Sequence, residues 1–137
     1  MLKQLSLYVE NKKGVMRDIT SILKDEGINI FGSVNHNDGA EYGVIRMVVS
    51  EPERALESMK AAGYMCRMVD VMGIELADEV GSLNHLLGAL SDSNINVDYI
   101  YLSFNRDSAR PILIMHAADE DIYEVESCME ARGFTVV

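Results

Sequence analysis

The chain has few basic side chains and no long apolar run. Its 137 residues include 12 lysines and arginines against 22 aspartates and glutamates, which gives a formal net charge of −10. A nucleic-acid partner requires a basic face, so this charge argues against one, and it argues equally against an anionic membrane surface. No apolar run approaches the roughly 20 residues that cross a bilayer. The N-terminus alternates apolar and polar residues, unlike a signal peptide. Together these features predict a cytoplasmic protein.

Residues that support catalysis or metal binding are also scarce. The two cysteines, Cys66 and Cys128, lie in apolar surroundings without a CxxC motif, which favours reduced thiols over a disulfide. The three histidines, His36, His85 and His116, form none of the short-spaced ligand pairs typical of metal sites, so we interpret them as incidental. We find no nucleophile with a base, no phosphate-binding glycine loop and no paired carboxylates. The sequence therefore predicts no enzyme, no metal and no cofactor.

One segment of the sequence occurs twice. VENKKGVMRDITSILKDEGINI begins at Val9, and LADEVGSLNHLLGALSDSNINV begins at Leu76. Gly14 and Gly81 fall at the same place in the two copies, so the offset is 81 − 14 = 67. Four further pairs are identical at this offset: Leu23/Leu90, Asp25/Asp92, Ile28/Ile95 and Asn29/Asn96. Such a repeat indicates a tandem duplication, which predicts two small domains, residues 1–69 and 70–137.

Each copy has the periodicity of a β-α-β-β-α-β unit. Residues 4–9 alternate as a half-buried strand does, and apolar residues then recur at helical spacing. In the second copy Leu83, Leu86 and Leu90 share the face that we expect to be buried. This element order is that of the ferredoxin-like α+β fold. Because no flexible linker separates the copies, we expect two such units packed side by side.

Turn and cap signals set the ends of the predicted elements. Gly27 follows the first helix as a left-handed C-terminal cap does. Residues 37–39, Asn-Asp-Gly, predict a hairpin turn, and residues 105–110 predict a longer hairpin loop. The acidic run at 119–121 suits the positive end of the last helix. Residues 134–137 are predicted to form a short terminal strand.

The repeated motif resembles the ACT domain, a small regulatory module that binds amino acids. It combines a strand, Asn/Asp-x-x-Gly, an amphipathic helix and Gly/Asn-Ile-Asn-Ile/Val, and the resemblance covers essentially the whole chain, twice. The matching residues are Asn11-Lys12-Lys13-Gly14 with Ile28-Asn29-Ile30 and Asp78-Glu79-Val80-Gly81 with Ile95-Asn96-Val97. The chain is most similar to stand-alone tandem ACT proteins. The resemblance implies a non-catalytic regulator or sensor that acts as a homodimer, with an amino acid held between ACT units.

A second function is compatible with the same resemblance. Some ACT relatives are regulatory subunits of biosynthetic enzymes, and those of acetolactate synthase suggest that this chain docks on such an enzyme. Co-purification of a larger enzyme would favour this alternative, whereas ligand binding by the isolated chain would favour a sensor.

The resemblance also implies a ligand site in each copy. The loop after the first strand and the start of the first helix would come from one unit, and the second strand would come from its neighbour. The candidates are Asn11, Gly14, Val15, Met16, Asn29, Ile30 and Phe31 in the first copy, and Asp78, Gly81, Ser82, Leu83, Asn96, Val97 and Asp98 in the second.

Physical chemistry supports the helix starts as part of these sites. A glycine there lets a ligand approach the backbone, and the first N–H groups of a helix attract a carboxylate. The two sites are not equivalent, because Ser82 could cap its own helix where Val15 cannot, and Asp78 carries a charge that Asn11 lacks.

Simpler interpretations remain open. Gly14 and Gly81 could be turn glycines without a ligand, and Asn29 and Asn96 could bond only to the local turn. An RNA-binding domain of the same element order would need basic and aromatic residues on its central strands, which this acidic chain lacks.

Overall fold

The computed structural model describes residues 1–37, 39, 41–104, 109–118 and 121–137. It contains six strands and four helices in these residues. The strands are β1 (Leu2–Glu10), β2 (Ile30–His36), β3 (Tyr42–Val49), β4 (Met65–Glu75), β5 (Val97–Ser103) and β6 (Ile112–Ala117). The helices are α1 (Val15–Asp25), α2 (Pro52–Ala61), α3 (Ser82–Asp92) and α4 (Ile122–Ala131).

The chain forms two compact units, each built on one copy of the repeat. The first unit is Lys3–Val69, and the second is Met1–Leu2 with Asp70–Val137. Each has the ferredoxin-like β-α-β-β-α-β order, so the predicted fold class is confirmed. The predicted fourth strand of the first copy and first strand of the second are a single strand, β4, which contributes to both units.

Strand pairing is the same in the two units. In the first unit β3 lies between β2 and β1 and is antiparallel to both, with Leu5 opposite Met47. In the second, β6 lies between β5 and the later part of β4, with Met72 opposite Met115. A β-bulge interrupts each outer pairing at the same place, between residues 30 and 32 and between residues 97 and 99. The bulge is therefore a feature of the repeat itself.

The terminal strand predicted at 134–137 is reduced to one isolated bridge, in which Val136 pairs antiparallel with Ile74. The amide of Glu75 donates to the carbonyl of Thr135 at 2.9 Å, and that of Val137 donates to the carbonyl of Gly73 at 2.9 Å. The segment thus takes the place of a fourth strand with only a few hydrogen bonds.

Each unit has a hydrophobic core of its own. In the first, Val15, Ile19 and Leu23 of α1 are buried against the strands, as the helical spacing predicts. In the second, α3 buries Leu86, Ala89 and Leu90. Leu83, which we predicted to be buried with them, lies in the first turn of the helix and is 38% exposed.

A left-handed residue ends α1, as predicted. Gly27 has φ +70°, its amide donates to the carbonyl of Lys24, and the amide of Ile28 donates to that of Leu23. This pair of bonds is the Schellman motif. Asn94, 67 positions after Gly27, has φ +57° and ends α3 in the same way.

Several sequence predictions fall on residues outside the described part. The hairpin turn at 37–39 includes residue 38, the loop at 105–110 includes residues 105–108, and the acidic run at 119–121 includes residues 119 and 120. Among the described residues, no helix has both the length and the apolar character needed to cross a bilayer.

Candidate functional site

The first helices of the two units begin in the same conformation. Gly14 precedes α1 with φ 87° and ψ −8°, and Gly81 precedes α3 with φ 87° and ψ −4°. Their carbonyls accept the first helical hydrogen bonds, from Asp18 and His85, each at 2.9 Å. Side chains other than glycine rarely adopt this left-handed backbone, so the repeated glycines have a conformational cause.

In the part of the chain that the structure describes, no side chain caps either helix, although Ser82 was expected to be able to cap α3. Ser82 is the first residue of α3, one position too late to act as its cap. Its amide donates to the carbonyl of Glu79 at 3.3 Å. The expected competition between the Ser82 hydroxyl and a ligand therefore does not arise in this structure.

A cleft of ≈ 270 Å³, called the first cleft below, opens at the start of α1. Its floor is apolar and includes Val15 and Ile45, which are 7% and 1% exposed. Four of the predicted site residues line it: Asn11, Gly14, Val15 and Met16. The structure thus brings the loop and the helix start of the first predicted site together.

The polar wall of the first cleft was missed in the sequence. Asn35 and Asn37, at the end of β2 and just beyond it, line the cleft together with Arg17 of α1. The side chains of these three residues make no hydrogen bond or ion pair with any other described residue. Their role depends on the β2–β3 register, in which Asn35 lies opposite Ile45. In the sequence, the only indication of this wall is that polar residues stand at the end of a predicted strand.

A second cleft, of ≈ 320 Å³, opens at the start of α3 on the side of residues 133–135. Gly81 and Ser82 line it, whereas the predicted residues Asp78 and Leu83 do not. Its other walls include Glu79, His85, Arg110 and Phe134. The rings of His85 and Phe134 lie 5.5 Å apart, so His85, which we interpreted as incidental, is part of a cleft wall.

The candidates at the start of β2, residues 29–31, make contacts within their own unit and do not line the first cleft. The amide of Asn29 donates to the Ser50 hydroxyl at 2.9 Å, and the carbonyl of Asn29 accepts from the Ser50 amide at 2.9 Å. Ile30 packs against the first core, and Phe31 lies in the β-bulge, half-buried. The backbone of Asn29 is thus bonded to Ser50, just beyond β3 and 21 positions along the chain, rather than to the turn after α1.

The predicted β5 residues lie apart from the second cleft. Asn96 and Val97 line a separate hollow of ≈ 360 Å³ beside the end of α3. Asp98 lies in the bulge, where its Oδ2 is 2.8 Å from Nδ1 of His116. The ring of Tyr99 stacks on that of His116 with a centroid distance of 5.0 Å. Asp98 is therefore engaged by the neighbouring strand.

The two cysteines are free thiols in different surroundings. Cys66 is buried in the first core, and burial raises the pKa of its thiol to about 11. Cys128 is half-buried, with its Sγ 2.9 Å from Oγ of Ser93. Within the described ranges, no group of three or more His, Cys, Asp or Glu side chains could hold a metal ion.

Two β-α-β-β-α-β units in tandem, each with a cleft at a helix that begins after a glycine, define a tandem ferredoxin-like protein. The chain belongs to the ACT domain pair family, whose sequence profile matches residues 1–128. The resemblance found in the sequence is thereby confirmed. Membership places the chain among regulatory modules that bind small molecules.

Solved structures agree with this assignment. Protein BT0572 from Bacteroides thetaiotaomicron is 25% identical with a TM-score of 0.87, and the match covers 99% of this chain and 91% of that one. The regulatory subunit of aspartate kinase from Thermus thermophilus, in its ligand-free form, is 14% identical with a TM-score of 0.68, covering 94% and 91%. The latter likeness concerns the fold alone. No curated protein sequence matches the chain.

Proposed function

We propose that the chain is a non-catalytic regulatory protein that binds an amino acid. The first cleft carries this proposal, because it joins an uncapped helix start to polar side chains above an apolar floor. Its ≈ 270 Å³ lies just below the roughly 300–1,000 Å³ of sites for drug-sized ligands, so it suits a small metabolite. A cytoplasmic location is part of the proposal and rests on the sequence.

The two ends of an amino acid have complementary partners at this cleft. The α-carboxylate is placed at the first turn of α1, where backbone N–H groups lie at the positive end of the helix dipole. Polar oxygens of the loop at 10–12 face the α-ammonium group. Each hydrogen bond to a charged group contributes about 1.5–3 kcal/mol, so we expect micromolar affinity.

The proposal includes a homodimer in which a second copy covers the cleft. Asn11, Gly14 and Asn35 are exposed, so the described residues of one chain leave the ligand partly open to solvent. An ACT unit of another copy would supply the missing wall. Regulation then follows if the ligand prefers one arrangement of the two copies over another, since only differential affinity shifts an equilibrium.

A thermal-shift screen of the purified chain against the twenty amino acids tests the proposal. A ligand that binds only the folded state raises the temperature of the unfolding midpoint. At a hundredfold excess over Kd, it adds about 2.7 kcal/mol to the free energy of unfolding. We expect one amino acid, or a few related ones, to produce this shift. If none does, in a chain whose circular dichroism shows it to be folded, the proposal is wrong.

Two glycine variants locate the effect. Gly14 and Gly63 have φ values of +87° and +88°, and a Cβ at either position would meet no atom within 4 Å. Alanine should therefore lower the midpoint similarly at both. Only Gly14 lines the first cleft. We expect Gly14→Ala to reduce the ligand-induced shift and Gly63→Ala to leave it unchanged.

Docking on a biosynthetic enzyme is a second candidate, favoured by exposed apolar side chains on the second unit. Leu102 near the end of β5 and Phe104 just beyond it are 57% and 82% exposed. Exposed apolar side chains that lie close together can form a contact with another protein. The test is to identify an enzyme that co-purifies with the chain and to measure the activity of that enzyme with the native chain and with the Phe104→Ser variant. An unchanged activity would argue against this candidate.

A further inference from the structure

The strand registers align the outer strands of the two units residue by residue. Asn35 of β2 lies opposite Ile45, and Leu102 of β5 lies opposite Leu113. Ile45 and Leu113 are each 1% exposed and occupy the same position in the two cores, since they pair with Leu7 and Ile74, which are 67 residues apart. Asn35 and Leu102 are therefore equivalent positions.

Two residues further along, Asn37 and Phe104 are equivalent as well. In the first unit these two positions carry carboxamides that line the first cleft. In the second unit they carry apolar side chains that are 57% and 82% exposed. Because the fold accepts either chemistry, the two asparagines are not required to build the strand. Their presence at the first cleft calls for another explanation.

Among the described residues of the first cleft, one cation has no acidic partner. Lys12 and Glu10 line the cleft as an ion pair, with Nζ 3.4 Å from Oε2. Arg17 also lines it, and its guanidinium has no partner among the described residues. Two carboxamides and this guanidinium together offer several N–H donors in planar groups. This set matches the planar oxygens of a carboxylate or a carboxamide.

We propose that the first cleft selects an amino acid whose side chain ends in a carboxylate or a carboxamide, with Asn35, Asn37 and Arg17 holding that end. This inference rests on the proposed function, which places the α-carboxylate at the start of α1. Val15 and Ile45 then lie beneath the aliphatic part of the side chain. The equivalent surface of the second unit, with Leu102 and Phe104, does not bind this class.

Isothermal titration of the full chain with single amino acids tests the selectivity. We expect aspartate, glutamate, asparagine or glutamine to bind, and leucine, valine and methionine to bind about tenfold more weakly or not at all. Raising the salt concentration should weaken a carboxylate ligand more than a carboxamide, because only the former depends on the charge of Arg17. The salt series thus distinguishes the two members of the class.

Matched variants test the residues. Asn35→Leu with Asn37→Phe gives the first unit the side chains of the second, and these exposed positions tolerate both types. We expect affinity for the polar ligand to fall by roughly 10- to 100-fold. Asn35→Asp, which keeps the shape and adds a negative charge, should weaken a carboxylate ligand more than a carboxamide. Leu102→Asn is the control and should leave the affinity unchanged.

The outcomes separate this inference from the proposed function. If an apolar amino acid binds best and the Asn35→Leu, Asn37→Phe variant binds it equally well, the inference is wrong and the proposed function stands. If none of the twenty amino acids binds to the folded chain, both are wrong. If a polar ligand binds but Leu102→Asn weakens it and the double variant does not, the ligand belongs to the second unit and the inference is again overturned.

Discussion

At the scale of single residues, two glycines show how differently the same residue is used. Gly73 lies in β4, where an added Cβ would be 2.7 Å from Leu2 Cδ1 and 2.7 Å from Val137 Cγ2. Gly88 lies inside α3, where an added Cβ would meet nothing within 4 Å. The first glycine is required by packing within the second unit, whereas the second merely leaves the helix backbone more flexible.

Opposite effects of the same substitution follow. Gly73→Ala overpacks the second unit and should lower the free energy of unfolding by about 1–3 kcal/mol. Gly88→Ala removes the entropic cost of glycine in a helix and should raise it by about 0.5–1 kcal/mol. Urea denaturation of both variants measures the difference. Equal effects of the two substitutions would contradict the packing around Gly73.

The thiol of Cys66 makes the stability of the folded chain depend on pH in the alkaline range. Burial raises the pKa of its thiol from the ordinary value of 9.0 to about 11, an effect that Lys60 partly offsets. Between these values the unfolded thiol has lost its proton and the folded one has kept it. The folded state therefore binds more protons, and its stability falls as pH rises.

We expect this contribution to be complete below pH 9 and to be lost as pH rises to about 11. At about 1.4 kcal/mol per pKa unit, the loss is on the order of 3 kcal/mol. Urea denaturation across this range should show a steeper decline for the native chain than for Cys66→Ala, in which the remaining groups titrate unchanged. The same slope in both chains would show that the thiol does not cause it.

At the scale of elements, one arginine connects the end of α1 with the start of α2. Nη2 of Arg54 donates to the carbonyl of Glu26 at 2.6 Å, and its Nη1 lies 2.6 Å from a carboxylate oxygen of Glu51. The last carbonyls of a helix lack partners within the helix, so the guanidinium supplies one. Hydrogen bonds to Glu51 and Glu26 raise the pKa of Arg54, and its planar fork lets it serve both helices at once.

Arg54→Lys should therefore loosen the end of α1 while keeping the charge. An ammonium group cannot span both partners. Amide hydrogen exchange at residues 22–28 should therefore become roughly two- to fivefold faster, a factor that corresponds to the stability contributed by an exposed ion pair. The end of α3, residues 89–95, is the internal control and should exchange as before. Faster exchange at both places would indicate general destabilisation and would argue against a local bridge.

Elements were predictable where the cause is local. The offset of 67, the glycines that begin and end helices and the hairpin strand β3 follow from backbone preference and periodicity, and Asn94 replaces Gly27 without changing the motif. The two strands that were predicted on either side of residue 70, with no linker between them, form one continuous strand, β4. The terminal segment was overestimated, since its four residues form only one bridge.

Only the part of the first cleft that has a local cause in the sequence could be predicted. The loop and helix start were identified from the repeated glycine, whereas Asn35 and Asn37 reach the first cleft through strand pairing across a β-bulge. A bulge shifts which side chains share a face, and the sequence alone does not show where it lies. Asn29, Asn96 and Asp98, which the resemblance assigns to the part of a site supplied by a neighbouring unit, do not line the clefts at the helix starts of their own units.

At the scale of the whole molecule, two separate small cores carry the stability. The first unit, Lys3–Val69, has 67 residues. At roughly 0.05–0.15 kcal/mol per residue, such a unit is stable by only about 3–10 kcal/mol. Met47 and Met115, both 0% exposed, occupy equivalent places in the two cores opposite Leu5 and Met72. Truncating either methionine should cost about 2–5 kcal/mol, a large share of what its unit has.

Met47→Ala and Met115→Ala therefore form a matched pair that tests where the ligand binds. In hydrogen-exchange mass spectrometry without ligand, Met47→Ala should speed exchange mainly in residues 3–69 and Met115→Ala mainly in residues 70–137. An amino acid bound in the first cleft, at a hundredfold excess over Kd, should return about 2.7 kcal/mol of stability to the first unit. It should then restore protection in Met47→Ala and leave the second unit of Met115→Ala as exposed to exchange as before. Restoration in Met115→Ala alone would move the ligand to the second unit, and with it the polar recognition that we assign to Asn35, Asn37 and Arg17.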